Sequence, residues 1–252
     1  IQVSETGVHM LPYDSLKAWG LRPEYVSILG YGGGMLSENF LLPRWDDLPS
    51  VSFYMHTGTD NVFNSGDYIL FYAQGATQWN CGKDGIWRHT QNPYSHYGYY
   101  FISDQQSLQK RIAISQNQHD TISIKDVDWY TAYKLHEKDS INLIDPSGIS
   151  GGGREFYGEV LNLKNKALSI SMPIQNVRTD RLSRCYIDLA AFAGEVTPVQ
   201  VNYAGTTTVC NIPAVSVEKQ YVKGVVDSAI IECYASSNEN QTINLYFQSN
   251  VS

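Results

Sequence analysis

The residues best placed for nucleophilic chemistry are Cys81 and His89. A cysteine peptidase needs a thiol activated by a nearby histidine, with oxyanion donors beside them. Of the six histidines, only His89 lies close in sequence to a cysteine, and Asn80-Cys81-Gly82-Lys83 has the composition of a polar turn that would expose the thiol. No cysteine, histidine and oxyanion-donor set is recognisable, so we predict that this chain has no catalytic residue and that Cys81 is a loop or packed thiol.

A second candidate site is the polar segment 60–67, which could bind calcium. Asp60, Asn64 and Asp67 offer the carboxylate and amide oxygens that calcium prefers. The spacing departs from the EF-hand pattern, and no bidentate glutamate closes the segment. The sequence therefore favours an Asx-rich turn leading into a strand, with calcium as the alternative and no other cofactor predicted.

Aromatic residues form the third candidate site, a binding surface. The segment 92–101 has an aromatic side chain at nearly every second position, and two tryptophans precede it. Facing solvent, such side chains stack on sugar rings or bind a protein partner. The favoured alternative is an ordinary strand that packs one face against the core and exposes tyrosines on the other, since scattered exposed aromatic side chains are usual. The candidate binding residues are Trp79, Trp87, Tyr94, Tyr97 and Tyr99.

Composition excludes several classes of protein. The 252 residues carry a net charge of −7, and no cluster of Lys and Arg is longer than two residues, which argues against a nucleic-acid partner. No apolar run approaches the roughly 20 residues that span a bilayer, so no membrane span is predicted. The 18 tyrosines and the low charged fraction of 17% favour a sheet-rich protein with an extracytoplasmic surface over a helical cytosolic enzyme.

The four cysteines are widely spaced. Cys81, Cys185, Cys210 and Cys233 show no CxxC spacing, which argues against a zinc site or a thioredoxin-like motif. Because a chain of this length does not need disulfides to fold, buried free thiols are favoured. The alternative is a disulfide between two of the last three cysteines.

Short β-prone runs separated by turn residues predict a mainly β protein with one or two short helices. One helix is predicted at Pro12–Gly20, and a second at Asp126–Lys138, where a strand is the alternative. In this half of the chain, strands are predicted at Val8–Leu11, Val26–Leu29, Val51–Met55, Asp67–Ala73, Tyr97–Ile102, Lys110–Ile114 and Thr121–Ile124.

The glycine-rich segment 144–153 is predicted to be a linker between two β-rich lobes, which assigns residues 1–143 to an N-terminal domain and 154–252 to a second domain. Eight short runs predict a β-sandwich or jelly roll for the second lobe. These runs are Phe156–Leu163, Ala167–Pro173, Arg184–Leu189, Pro198–Tyr203, Thr206–Ile212, Ser216–Val222, Ser228–Ala235 and Thr242–Gln248.

Four ordered segments resemble one protein family. The segment Gly66-Asp-Tyr-Ile-Leu-Phe-Tyr-Ala-Gln-Gly75 resembles a "GDYILFYGQG" segment in the non-catalytic N-terminal region of gingipain-like cysteine peptidases. The resemblance is strongest to the sortase of the type IX secretion system (PorU type). It covers residues 1 to about 160, and the other matching segments are Glu5–Leu16, Gly30–Leu36 with Pro43–Asp47, and Leu135–Asp139 followed by Gly153–Gly158.

The resemblance implies a non-catalytic module in a secreted or cell-surface protein. Its partner would be a peptidase domain downstream in the same polypeptide, which the module positions or restrains. Secretion-system proteins and secreted substrates are further partners. The family is exported to the periplasm, the outer membrane surface or the medium, so a leader is expected upstream of Ile1. The alternative hypothesis is a free-standing carbohydrate-binding or adhesion β-sandwich.

Overall fold

A computed structural model describes residues 1–114, 128–143, 155–215, 224–237 and 239–248. Over these residues the protein is mainly β, and the chain divides into two units, Ile1–Asp128 and Trp129–Ser252. Each unit has its own cluster of buried apolar side chains. The predicted fold class, two β-rich lobes with little helix, is confirmed. Among the described residues, no helix is long and apolar enough to span a membrane.

The described residues of the first unit form three antiparallel sheets. One sheet has the strand order β1-β9-β3-β4, the second β2-β6-β5, and the third is the hairpin β7-β8. The strands are β1 (Gln2–Val3), β2 (Gly7–Pro12), β3 (Ser27–Gly32), β4 (Ser50–Val51), β5 (Phe53–His56), β6 (Tyr68–Ala73), β7 (Thr77–Cys81), β8 (Trp87–Gln91) and β9 (Gly98–Ser103).

Strand alternation builds the core of the first unit. In β6, Ile69, Phe71 and Ala73 are buried while Tyr72 is exposed, because successive side chains of a strand point to opposite faces. Tyr100 of β9 is also buried, and its ring packs edge-on against Phe71. Its hydroxyl accepts a hydrogen bond from the Gln74 amide at 2.8 Å, and burial raises its pKa.

The predicted first helix is confirmed as α1 (Tyr13–Ala18), which buries Leu16 completely. Gly20 ends it with φ +80°, and the Gly20 and Leu21 amides donate to the carbonyls of Lys17 and Leu16. This pair of bonds is the Schellman arrangement, in which a left-handed glycine closes a helix. Short 3₁₀ turns lie at Pro23–Tyr25 and Gln106–Leu108.

Two predictions for residues before 144 are wrong. The described part of the second predicted helix, 128–138, is neither helix nor strand. Contacts with other segments hold it instead, since His136 and Lys138 both bind the Glu159 carboxylate, at 2.8 and 2.7 Å. Such contacts override helix propensity. The predicted strand Lys110–Ile114 is reduced to one bridge between Arg111 and Phe53.

The second unit is a β-sandwich. A four-stranded sheet has the order β12-β17-β14-β15, and a two-stranded sheet pairs β13 with β16 over ten residues each. A further small sheet pairs β10 with β11. The strands are β10 (Ile141–Asn142), β11 (Phe156–Tyr157), β12 (Ala167–Met172), β13 (Leu182–Ala191), β14 (Thr197–Tyr203), β15 (Thr206–Ile212), β16 (Val225–Tyr234) and β17 (Gln241–Phe247).

Most predicted strands of the second lobe are confirmed. The prediction at Phe156–Leu163 is wrong beyond Tyr157, where the described chain continues without regular structure. The strand predicted at Ser216–Val222 lies outside the described residues, as do the one at Thr121–Ile124 and the linker 144–153. Because β10 pairs with β11, residues 141–142 belong to the second unit. The domain bounds 1–143 and 154–252 stay a prediction.

Candidate docking surface

The hairpin β7-β8 brings both candidate tryptophans to one face. Its register pairs Trp79 with His89 and Cys81 with Trp87, so these four side chains share a face of the ribbon. The Trp79 and His89 rings lie 5.3 Å apart, and Trp87 is 41% exposed. The hairpin thus presents an indole-rich surface of the kind that is enriched in protein interfaces.

A tight turn fixes the hairpin. The Gly82 amide donates to the Ile86 carbonyl, and Gly85 adopts φ +73°. Arg88 binds Asp84 at 2.8 Å, and the hydrogen bond from Arg88 lowers the pKa of Asp84 to about 2. The pair Asp84-Gly85 is a typical hairpin turn sequence. This turn sequence is a signal that could have revealed the hairpin, whose two strands are not among those predicted from the sequence.

Tyr94 and Tyr97 lie in the loop between β8 and β9, and the loop backbone is tied to the fold. Asn92 donates through Nδ2 to the Gly33 carbonyl at 2.9 Å, and its Oδ1 accepts the Tyr94 amide at 2.9 Å. The Tyr97 amide donates to Ser95 Oγ at 3.1 Å. Tyr94 is 73% exposed and Tyr97 is 41% exposed. The loop therefore displays its tyrosines on a hydrogen-bonded backbone.

Tyr99 lies on the outer face of β9. Gly98 and Tyr100 are buried, whereas Tyr99 and Phe101 are exposed. The expected alternation of a core face and an exposed face is therefore present in β9. None of the five candidate aromatic residues belongs to the buried core. A binding role for them remains a proposal.

The calcium candidates form a hydrogen-bonded turn. The Asp60 carboxylate accepts the Val62 amide and the Asn64 side-chain amide, which lowers its pKa, and the Asp67 carboxylate accepts the Asn64 backbone amide at 2.8 Å. These bonds are those of the Asx-rich turn favoured by the sequence. No group of three or more His, Cys, Asp or Glu residues suited to a metal occurs in the described part of the chain.

All four cysteines carry free thiols. Cys185 and Cys210 are buried, and burial is the main cause that raises the pKa of each to about 11. Because the thiolate is the nucleophilic form, these two side chains are poor nucleophiles. Cys81 is exposed, and its thiol donates a long hydrogen bond to the Gly82 carbonyl at 3.6 Å. Its neighbour on the hairpin face, His89, packs against Trp79.

The second unit has a polar cleft of about 250 Å³. Its lining includes Asn202, Gln241 and Asn244, and none of its lining residues is aromatic. Asn202 donates to Thr207, and Asn244 accepts from Ser169, so two of the amides already have partners inside the protein. The cleft therefore lacks the aromatic platform on which sugars stack.

Comparison with known proteins shows a likeness to a solved structure. No family model matches this chain, and no curated protein does either. The crystal structure of dimeric latent PorU from Porphyromonas gingivalis is similar over 99% of this chain, with a TM-score of 0.75 and 24% sequence identity. The matched region is 22% of the PorU chain, so this chain spans about a fifth of its length. This likeness shows that the fold is that of a part of PorU.

Proposed function

We propose that this chain is a non-catalytic N-terminal module of a secreted or cell-surface gingipain-like cysteine peptidase or type IX secretion sortase. The observation that carries the proposal is the similarity of nearly the whole chain to a fraction of PorU. The module positions or restrains the peptidase domain of the same polypeptide, or docks secretion-system proteins or secreted substrates. The polypeptide is exported to the periplasm, the outer membrane surface or the medium.

A non-catalytic role agrees with the chemistry of the thiols. Two of the four cysteines are buried with raised pKa values. Cys81 is exposed, but its histidine neighbour His89 is packed on an indole ring. A recognisable peptidase site would instead join a thiol, a base and oxyanion donors in one cleft. Catalysis is therefore assigned to another part of the polypeptide.

The aromatic hairpin and loop provide the docking surface. Tyrosine and tryptophan bury a large area at low entropic cost and keep a polar group for hydrogen bonding. Trp87, Tyr94 and Tyr97 are exposed, on a hairpin and loop held by hydrogen bonds. A backbone that is already ordered loses little freedom on binding, which favours affinity. The alternative role, a free-standing carbohydrate-binding or adhesion sandwich, would use the same side chains for sugar stacking.

The test is the association of this chain with the separately produced peptidase domain of its parent protein, measured by isothermal titration calorimetry. Replacing Trp87, Tyr94 and Tyr97 together by Ala is expected to weaken association about tenfold or more, because exposed aromatic anchors dominate interface energies. The melting temperature should change little, since none of the three residues is in the core.

The matched control replaces Tyr186 and Tyr234 by Ala, since both are exposed tyrosines of the second unit. This control variant should bind like the unaltered chain. A triple variant that loses stability strongly, or that binds unchanged, would contradict the docking role of the hairpin and loop. Binding of oligosaccharides by the unaltered chain, without binding of the peptidase domain, would support the alternative.

A further inference from the structure

Strand β13 is an open edge of the sandwich. It pairs with β16 over ten residues in an unbroken register, and its other side forms no ladder with any strand of the described chain. Strand β16 contacts β15 of the four-stranded sheet more closely than β13 does, so β13 is the outer strand of its layer. A long edge strand carries a row of backbone N–H and C=O groups that can pair with another strand.

The edge lacks the usual features that prevent strand pairing. Proteins commonly protect an edge with a proline, a bulge or an inward-pointing charge. Strand β13 contains no proline, and its ladder with β16 has no bulge. Its inward-facing side chains are uncharged, and among them Cys185, Ile187 and Leu189 belong to or pack against the core cluster. The backbone of β13 can therefore accept a further strand.

The outward face of β13 restricts which strand can pair there. Arg184 and Asp188 have opposite charges and lie at equal distances in sequence on either side of Tyr186. All three side chains point to the same face, because strand side chains alternate, and all three are exposed. Like charges placed directly opposite each other on neighbouring strands repel. The incoming strand therefore needs an acidic residue opposite Arg184 and a basic residue opposite Asp188.

A second copy of β13 meets this requirement. When two copies run antiparallel with Tyr186 opposite Tyr186, each Arg184 lies opposite Asp188 of the other copy, because both charges are equally distant from the central tyrosine. The next pair on the inner face joins Cys185 to Ile187, so the apolar face of the sheet continues across the contact. Such a contact uses the same surface on both copies, as a two-fold symmetric dimer requires.

The bonds that these charges make within one copy leave them able to bind the other copy. Arg184 forms an ion pair with Glu232 across the ribbon, and Asp188 accepts a hydrogen bond from Ser228 at 2.6 Å. A guanidinium has several N–H donors and a carboxylate has two accepting oxygens, so each group can bind a second partner. The net charge of −7 opposes association at long range. The paired charges therefore select the register, and backbone bonds and apolar contacts supply the attraction.

We propose that β13 pairs antiparallel with β13 of a second copy of this chain, centred on Tyr186, to form a two-fold symmetric dimer. The dimer has a continuous sheet in the order β16-β13-β13-β16. Contacts between Arg184 and Asp188 of opposite copies fix the register at both ends of the contact. This inference goes beyond the proposed function and does not depend on it.

The test measures self-association of the complete chain by analytical ultracentrifugation, in which the unaltered chain should sediment as a dimer. Arg184→Asp places carboxylates opposite each other at both ends of the contact, and Asp188→Arg places guanidinium groups there. Each variant alone should raise the dissociation constant of the dimer at least about tenfold, because like charges are brought together. An equal mixture of the two variants should form a heterodimer, because each carboxylate then lies opposite a guanidinium.

The matched control is Lys164→Asp, which makes the same change of charge as Arg184→Asp. Lys164 is exposed in the turn before β12, away from the edge formed by β13. This control variant should dimerise like the unaltered chain. The mixture also controls for folding, since a variant that fails to fold cannot form the heterodimer.

Three results would overturn the proposed dimer. They are a monomeric unaltered chain, a dimer that both single variants retain, and a mixture of the two variants that stays monomeric although each variant melts cooperatively. Self-association is measured without the peptidase domain, so each of these results leaves the proposed function standing.

Discussion

Phe53→Ala is expected to destabilise the first unit by about 3–5 kcal/mol, the cost of removing a fully buried phenylalanine. Phe53 has no exposed surface, and its strand β5 pairs with β6 opposite Phe71. The smaller side chain leaves a cavity, because the surrounding strands relax only partly into the space. Urea unfolding followed by tryptophan fluorescence measures the loss, since four of the five tryptophans precede residue 129.

The control for this prediction is Phe101→Ala. Phe101 is also a strand phenylalanine of the first unit, but it is 57% exposed on the outer face of β9. Its replacement should cost within about 0.5 kcal/mol, as is usual for surface substitutions. Equal losses for the two variants would show that Phe53 is not the core residue that the fold requires.

Gly98→Ala is the second prediction of a large effect. A methyl group on Gly98 would lie 2.9 Å from the Gly33 nitrogen, and still closer to the Gln74 carbonyl oxygen. These neighbours are backbone atoms, and the Gln74 carbonyl also accepts the Gly33 amide at 3.1 Å. Since backbone cannot rotate away as a side chain does, overpacking should cost about 1–3 kcal/mol or more.

The same urea measurement tests Gly98→Ala, with Gly7→Ala as its control. Gly7 opens β2, and a methyl group there would meet nothing within 4 Å. This control should be neutral or slightly stabilising, because alanine restricts the unfolded chain. A Gly98 variant as stable as the Gly7 variant would mean that β9 does not pass close to Gln74.

Strands with strong apolar or aromatic patterns were predictable. The run Asp67–Ala73 predicted β6 because its β-prone residues are bounded by glycines, and the alternating runs of the second lobe predicted most of its sandwich. The helix α1 was predictable from its closing glycine, Gly20. These signals are local, so a single sequence contains them.

The failures come from features that are not local. Residues 128–138 have apolar residues at helical spacing, yet contacts with Glu159 from another segment keep the described part irregular. Lys110–Ile114 has strand propensity, but only Arg111 forms a bridge. The hairpin β7-β8 was missed because its polar residues hide the alternation, although Asp84-Gly85 is a turn signal.

The candidate site was predictable in residue type and not in geometry. The sequence selected Trp79 and Trp87, but only the register of the hairpin places them on one face. The exposure of Phe40, Leu41 and Leu42, in the loop between β3 and β4, was not predictable, because these residues read equally well as core sequence. Exposure depends on the hydrogen bonds of Asn39 and Arg44, which fix the loop. Motif searches for catalytic residues do not detect surfaces of this kind.

The intact mass of the native protein tests the central claim most directly. The 252 residues account for 28.3 kDa. If the chain is a module of a gingipain-like peptidase or sortase, an antibody raised against it should capture a polypeptide several times heavier, and peptide mapping should find a peptidase domain downstream of Ser252. A mature native species of 28.3 kDa, with no peptidase domain attached, would contradict the account.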